Sequence, residues 1–227
     1  MANGTLAVIR KMYNWAVSRD LVETSPCVGV RGPGTPKARD RTLSAEEIAV
    51  FWSSLDRTDM SVGVRLALRL QLVTAQRIGE VVSMRWSDIE EADAVWTVPG
   101  EIAKNKLAHR VPLTELAISL IEQAPKIEDS PWVFPSPQTG GHINANAAAR
   151  ALRRNRDIHQ IENFRPHDLR RTAASHMTSL GIPRLVVGKI LNHAEPGVTA
   201  VYDRHSYDLE KREALEKWAN RLAEIIS

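Results

Sequence analysis

Apolar residues recur at three- and four-residue spacing between residues 5 and 18, where Leu6, Ile9, Met12, Tyr13 and Ala16 share a face, and this predicts an amphipathic helix. Breakers crowd the stretch that follows: Pro26, Gly29, Gly32, Pro33, Gly34 and Pro36. With Lys37, Arg39 and Arg41 beside them they read as a basic linker. A lone helix ahead of a linker has little to pack against. Residues 1–37 are therefore expected to be the last helix of a domain whose earlier part lies outside this sequence, plus a linker, and residues 38–227 a second domain.

That second domain opens on a helix start signal. Ser44 and Glu47 have the spacing of a capping box, and Ile48, Phe51, Trp52 and Leu55 follow as the buried face. Residues 61–73 are apolar on most sides, which predicts a central helix. Residues 94–98 and 107–113 read as two strands around a polar turn that holds Lys104, Asn105 and Lys106. Helices are predicted near 114–124, 144–155, 166–180 and 183–191, with Gly181 suited to a helix stop and Pro183 to a start. A short helical stretch, Val198 to Val201, precedes a final helix at about 208–225 that carries Leu209, Leu215, Trp218, Leu222 and Ile225. The expected fold class is α+β, mostly α-helical, with a small antiparallel β-sheet.

Composition alters this picture little. Hydrophobic residues make up 43% and charged residues 25%, ordinary for a globular chain, and the net charge of +3 permits a nucleic-acid partner without requiring one. The distribution of charge says more. Between Arg150 and Arg171 seven arginines (150, 153, 154, 156, 165, 170 and 171) face three acids, an excess of four that exceeds the charge of the whole chain. Such a run reads either as a solvated helix face or as a surface for an anionic partner. Cys27 is the single cysteine, so an internal disulfide and a cysteine-based zinc finger are both excluded, and a reducing, cytoplasmic setting is expected. No apolar run approaches the roughly 20 residues of a membrane helix.

Three segments carry candidate chemistry. Pro166 suits the first turn of a helix, and His167 and Arg170 then share a face beside backbone N–H groups that attract anions. That is either a phosphate site or a structural histidine cap. Arg77 and Glu80 also stand three apart, at the end of the apolar helix, either as an internal ion pair or with Glu80 orienting Arg77 toward a phosphate. His193 follows Leu191 and Asn192, and Tyr202 lies nine residues further on. Tyr202 is one of three tyrosines, either an amphipathic anchor or a nucleophile.

Arg77 with Glu80, Lys104 on a strand turn, His167-x-x-Arg170, His193 and Tyr202 resemble, in order and approximate spacing, the active-site residues of tyrosine recombinases of the phage-integrase family. Pro166 to His176 looks like that family's second conserved box, and Leu191-Asn192-His193 through Tyr202 like its third. Wording such as Tyr202-Asp203-Arg204-His205 is similar to integrases of temperate phages and genomic islands, and the resemblance covers about residues 38–227. Two positions depart from it: glycine is usual where Ala75 and Asn192 stand, and a left-handed backbone is what a glycine there would serve.

The resemblance implies the fold of a tyrosine-recombinase catalytic domain and site-specific recombination of double-stranded DNA attachment sites, the reaction that integrates or excises a mobile element. Tyr202 is implied as the nucleophile that forms a 3′-phosphotyrosine. Arg77 and Arg170 are implied as clamps on the scissile phosphate, with Glu80 supporting Arg77. His193 is implied as a further donor, His167 as acceptor of the Tyr202 proton, and Lys104 as the acid for the leaving 5′-oxygen. Lys106 in the same turn is the rival acid; Lys104 is preferred for its expected position at the end of the first hairpin strand. Lys106, Arg150, Arg153, Arg154 and Arg171 are expected to contact DNA, giving salt-sensitive affinity. No cofactor and no metal is implied. Implied partners are a homotetramer on DNA and accessory DNA-bending and excisionase proteins, with no membrane and a cytoplasmic, nucleoid-associated location. Competing readings are a type IB topoisomerase-like enzyme, a DNA-binding module without activity, and a metal-dependent nuclease, whose activity alone EDTA would abolish.

Overall fold

The computed structural model describes residues 2–32, 34, 40–193 and 205–227. The chain divides into two compact units, Met1–Asp40 and Arg41–Ser227. In the first, helix α1 (Ala2–Val17) forms as its spacing predicts but buries none of its residues. The Asn3 amide donates to the Gly34 carbonyl (2.7 Å) and the Arg10 guanidinium to the Val30 carbonyl, which fold the glycine-rich loop back along the helix. Pro33, Pro36, Lys37 and Arg39 of the linker lie outside the described residues, as does the stretch Val198 to Val201.

The second unit is mostly helical. Helix α2 (Ala45–Ser54) starts at the expected capping box: the Glu47 N–H donates to Ser44 Oγ (3.2 Å) and the Ser44 N–H to Glu47 Oε2 (3.0 Å). Helix α3 (Val62–Thr74) is the central rod, with every residue but Val62 and Arg65 buried. A short helix follows, α4 (Ile78–Val82), and was not visible in the sequence pattern because five residues show barely one apolar repeat. Strands β1 (Ile89–Glu90), β2 (Val95–Val98) and β3 (His109–Pro112) form an antiparallel sheet in that order, with Trp96 opposite Val111 and Val98 opposite His109. β1 is an addition to the two predicted strands, too short at two residues to alternate legibly.

The remaining helices are α5 (Glu115–Glu122), α6 (Ala145–Arg154), α7 (Arg156–His159), α8 (Pro166–Ser179), α9 (Arg184–Ile190) and α10 (Asp208–Ile226). Local signals explain their ends. Thr114 and Asn144 cap α5 and α6 with side-chain oxygens, and Pro166 sits in the first turn of α8. Gly181, at φ +79°, closes α8: its N–H donates to the Thr178 carbonyl (3.0 Å) and the Ile182 N–H to the Met177 carbonyl (3.1 Å), a Schellman turn.

Around α3 pack α4, α5, α6, α8 and α10. Helix α10 folds back onto its own unit, with Leu215, Trp218 and Leu222 buried. Leu209, at the start of the same helix, is 74% exposed. Six residues before Leu215, it falls about a third of a turn away from the buried stripe.

Candidate active site

The end of α3 leaves backbone carbonyls that no further helical turn can satisfy. Ala75 breaks the helix by turning left-handed (φ 57°). One side chain of the loop itself and two from distant helices then take the orphan acceptors. Trp218 Nε1 donates to the Leu72 carbonyl (3.0 Å), the Gln76 amide to that of Thr74 (2.8 Å), and Arg170 Nη1 to that of Ala75 (2.9 Å). The loop bearing Arg77 is thus clamped by a residue 95 positions away in sequence, on α8.

Helix α9 ends in a second Schellman turn. Asn192 occupies its left-handed position (φ 47°); the Asn192 N–H donates to the Lys189 carbonyl and the His193 N–H to the Gly188 carbonyl, both at 3.1 Å. Ala75 and Asn192, the two places where glycine was expected, therefore both adopt the backbone that glycine favours. The carbonyls released at this end are again filled from a distance. Ile190 accepts from the Gln76 amide (2.9 Å) and from His109 Nε2–H (3.0 Å), and Leu191 accepts from Arg170 Nη2. Gln76 and His109, which sequence reasoning left out of the site, are the side chains that tie the Arg77 loop, β3 and the His193 turn together. A buried polar residue beside a motif is their only signal, and that signal does not name a partner.

Arg170 is buried, 3% exposed. Burial first, then repulsion from Arg77, pushes its pKa down to about 10, so it stays protonated at neutral pH. Arg77 is the N-cap of α4, where Glu80, 4% exposed, accepts from both its N–H (3.0 Å) and its Nη1 (2.7 Å). Both expectations for this pair are compatible with that geometry: the ion pair exists, and it leaves Nε and Nη2 of Arg77 without a partner among the described residues.

His167 and His193 are exposed at the same locality. The His167 pKa is lowered by partial burial, then by the charges of Arg171, Arg170 and Arg77, against a smaller opposing pull from Asp168. That of His193 is lowered by partial burial, then by Arg170 and Arg77. Each imidazole thus senses both guanidinium groups and is neutral at pH 7. Buried His109 is pushed down to about 4, by desolvation first and Lys211 next, and serves as a neutral strut. Four of the predicted residues therefore share one electropositive locality that is short of a counter-charge, which suits an anion.

Lys104 is exposed and lines a cleft of about 520 Å³ with Arg77, Glu80, Arg85, Trp132 and His142. It does not sit at the end of β2, as expected, but six residues beyond it. Pro99 and Gly100 stop the strand, and Ile102 and Ala103 N–H groups turn back onto the Pro99 carbonyl (3.1 and 3.0 Å). Lys106 lies in the same turn with left-handed backbone (φ 60°). Across the cleft the Arg85 guanidinium lies 4.6 Å from the Trp132 ring centroid and the His142 ring 4.9 Å from it. Tyr202 lies outside the described residues.

Arg150, Arg153 and Arg154 stand exposed on α6, whose opposite face buries Ala148 and Leu152. Arg171 differs from them: it is half-buried and donates to Asp168 Oδ1 (2.7 Å), a carboxylate with no exposed surface. Among the described residues, no three His, Cys, Asp or Glu side chains gather as metal ligands, and no helix is long and apolar enough to cross a membrane.

Similarity to known proteins agrees with this layout. The chain is 28% identical over 228 residues to the prophage integrase IntZ of Escherichia coli K12, covering 96% of the chain but 54% of IntZ, so it spans about half that relative's length. It is 27% identical to the tyrosine recombinase XerD of Rhizobium meliloti, covering 91% of the chain and 70% of XerD. In fold it matches the integrase of mycobacterium phage Brujita (TM-score 0.64, 17% identity, 99% of this chain and 76% of that one). It also matches a lambda integrase dimer bound to a COC′ core site (TM-score 0.65, 19% identity, 85% and 71%), so the fold is that of tyrosine-recombinase catalytic domains. The phage integrase family model matches residues 41–208, nearly all of the second unit and both arginine-bearing segments, and the chain belongs to that family.

Proposed function

We propose that residues 38–227 are the catalytic domain of a site-specific recombinase that cuts and rejoins double-stranded DNA attachment sites, and that residues 1–37 are the end of an adjoining DNA-binding domain with its linker. The observation that carries this is the Arg170 guanidinium bonded to the backbone just before Arg77, with His167 and His193 under the influence of both cations. A phosphodiester resists nucleophiles because of its charge, and fixed guanidinium groups meet the charge that develops on its oxygens. Arg77 and Arg170 clamp the non-bridging oxygens, with Glu80 holding Arg77, and His193 donates a further hydrogen bond.

In the cleavage step the Tyr202 oxygen bonds to phosphorus as the P–O5′ bond breaks. His167, neutral at pH 7, takes the phenolic proton, and Lys104 protonates the departing 5′-oxygen. Rejoining reverses the step with another 5′-hydroxyl, and the phosphotyrosine conserves the bond energy. Lys104 is favoured over Lys106 because it shares a cleft with Arg77 and Glu80. Lys106, Arg150, Arg153 and Arg154 are proposed to follow the DNA backbone; Arg171, already paired with Asp168, contributes mainly its field at His167. Lambda integrase is described both as a dimer on a core site and as a tetramer on a Holliday junction. A tetramer on DNA is the corresponding proposal here, with accessory bending and excisionase proteins as further partners on the nucleoid.

The test is a nicked suicide DNA substrate that loses its 5′-hydroxyl fragment and traps the adduct. Mass spectrometry is expected to locate the adduct on Tyr202, unchanged by EDTA. An adduct on Tyr207, or activity that EDTA removes, would overturn the reading.

A pH profile of the same reaction probes His167. Cleavage requires neutral His167, so the rate rises with pH through a midpoint below the usual histidine value of about 6.5. Arg171→Gln removes one cation that lowers this pKa and uncovers Asp168, which raises it. The acid limb should therefore move to higher pH. An unmoved limb would remove His167 from this role.

A further inference from the structure

Lys104 has no side-chain partner among the described residues, so its position depends on whatever holds its turn. We infer that Asn105 and Asn192 form an amide clasp that positions the Lys104 turn against the His193 turn, as a pair of positioning residues for protonation of the leaving group; this rests on the recombinase reading above.

The geometry is reciprocal. Asn105 Oδ1 accepts from the Leu107 N–H (3.1 Å), which fixes the amide's orientation and directs Nδ2 outward. That Nδ2 donates to Asn192 Oδ1 (2.7 Å) and reaches the Asn192 carbonyl (3.4 Å), while Asn192 Nδ2 returns a bond to Asn105 Oδ1 (3.3 Å). Both ends of the clasp are anchored. Asn192 is locked in the Schellman turn that also sets the His193 backbone. On the other side, a Cβ on Gly100 would lie 2.9 Å from the Lys106 carbonyl oxygen, so the turn folds close against residue 100 and has little room to shift.

The clasp also accounts for a departure from the family pattern. A left-handed Asn is less comfortable than glycine, but glycine has no amide to offer Asn105. One residue before His193, this chain carries a side chain that reaches across 87 positions to the residue next to Lys104. The two halves of the chemistry, phosphate contact and leaving-group protonation, are thereby joined by one pair of side chains.

The test compares the unaltered full chain with Asn105→Ala, Asn192→Gly, the double variant and Lys104→Ala. Asn192→Gly removes only the amide and keeps a residue suited to the turn, so it should fold whatever the clasp does. Two suicide DNAs are used, one ordinary and one with sulfur replacing the bridging 5′-oxygen at the scissile phosphate. A thiolate leaves without a proton, so the sulfur DNA does not need the acid. On ordinary DNA each single variant is expected to cleave roughly tenfold more slowly, the size expected of a small misplacement of a catalytic group, and the double variant no more slowly than either. On sulfur DNA the clasp variants, like Lys104→Ala, should match the unaltered chain. Full speed on ordinary DNA, equal slowing on both DNAs, or multiplied effects in the double variant would each overturn the clasp. Failure of the unaltered chain to form a Tyr202 adduct on either DNA would instead sink the recombinase reading, and the clasp with it.

Discussion

Arg170→Ala is expected to slow DNA cleavage by roughly 10³-fold or more, the scale found where an arginine meets transition-state charge on a phosphoryl group. The expectation rests on where the guanidinium stands. It is buried, directed by the Ala75 and Leu191 carbonyls, and adjacent to Arg77. Charge placed so deeply, against a like charge and with its pKa drawn down to about 10, is unfavourable unless an anion arrives. Binding a phosphate relieves both the repulsion and the desolvation, and the relief grows as negative charge builds on the oxygens. Stability should change less than rate, because two effects oppose. The variant leaves two carbonyls unsatisfied, at about 1–3 kcal/mol for each buried group, but it also removes the strained cation. Arg170→Lys separates charge from geometry: one ammonium cannot span the acceptors from α3 and α9 and still face a phosphate, so little activity should return. Single-turnover adduct formation beside a thermal melt makes the measurement. A folded Arg170→Ala chain that cleaves within tenfold of the parent would remove Arg170 from the site.

What the sequence made legible divides along physical lines. Long elements with local signals were readable: the Ser44–Glu47 box, Pro166 in the first turn of α8, Gly181 at its end, and the apolar α3 all depend on neighbours within a few residues. Arg77, His167, Arg170 and His193 were readable as types at a spacing, and the structure places both imidazoles under the influence of both guanidinium groups. What could not be read is what depends on distant partners. No local pattern says that Gln76 and His109 converge on the Ile190 carbonyl, or that Asn105 meets Asn192. Short elements failed for a different reason: α4 and β1 hold too few residues to repeat any period. Leu209 is apolar but out of phase with the buried stripe, which hydrophobicity alone does not show, and Lys104 stands six residues past the strand because the Ile102 and Ala103 N–H groups bond back to Pro99, a turn whose course no periodicity encodes.

Trp218→Ala should produce the largest loss of stability, about 3–5 kcal/mol, and with it a slower cleavage reaction. Trp218 has no exposed surface and is among the largest buried side chains of the second unit. Its ring faces that of His176 at 5.4 Å, and its Nε1–H fills the Leu72 carbonyl at the end of α3. Truncation therefore opens a cavity and orphans an acceptor at once. For a domain of this size the loss corresponds to a fall in Tm of roughly 10 °C. Trp218→Phe keeps most of the ring and forfeits the donor, so it should fall between the two, and Leu209→Ala, on an exposed side chain, should change little. The functional consequence follows from chain order. The segment bearing Tyr202 leads directly into α10, whose first turn is tied to the sheet: Asp208 pairs with Arg110 (3.1 Å), and buried Lys211 donates to the Arg110 carbonyl (2.8 Å). Trp218 is the largest fully buried side chain of that helix, so loosening it should free the attachment of the proposed nucleophile while the arginine pocket stays intact. The expected signature is a slower adduct-forming step with DNA affinity preserved, measured well below the lowered Tm. Equal losses in both, or a melt within about 2 °C of the parent, would mean that α10 is held to the domain by something other than Trp218.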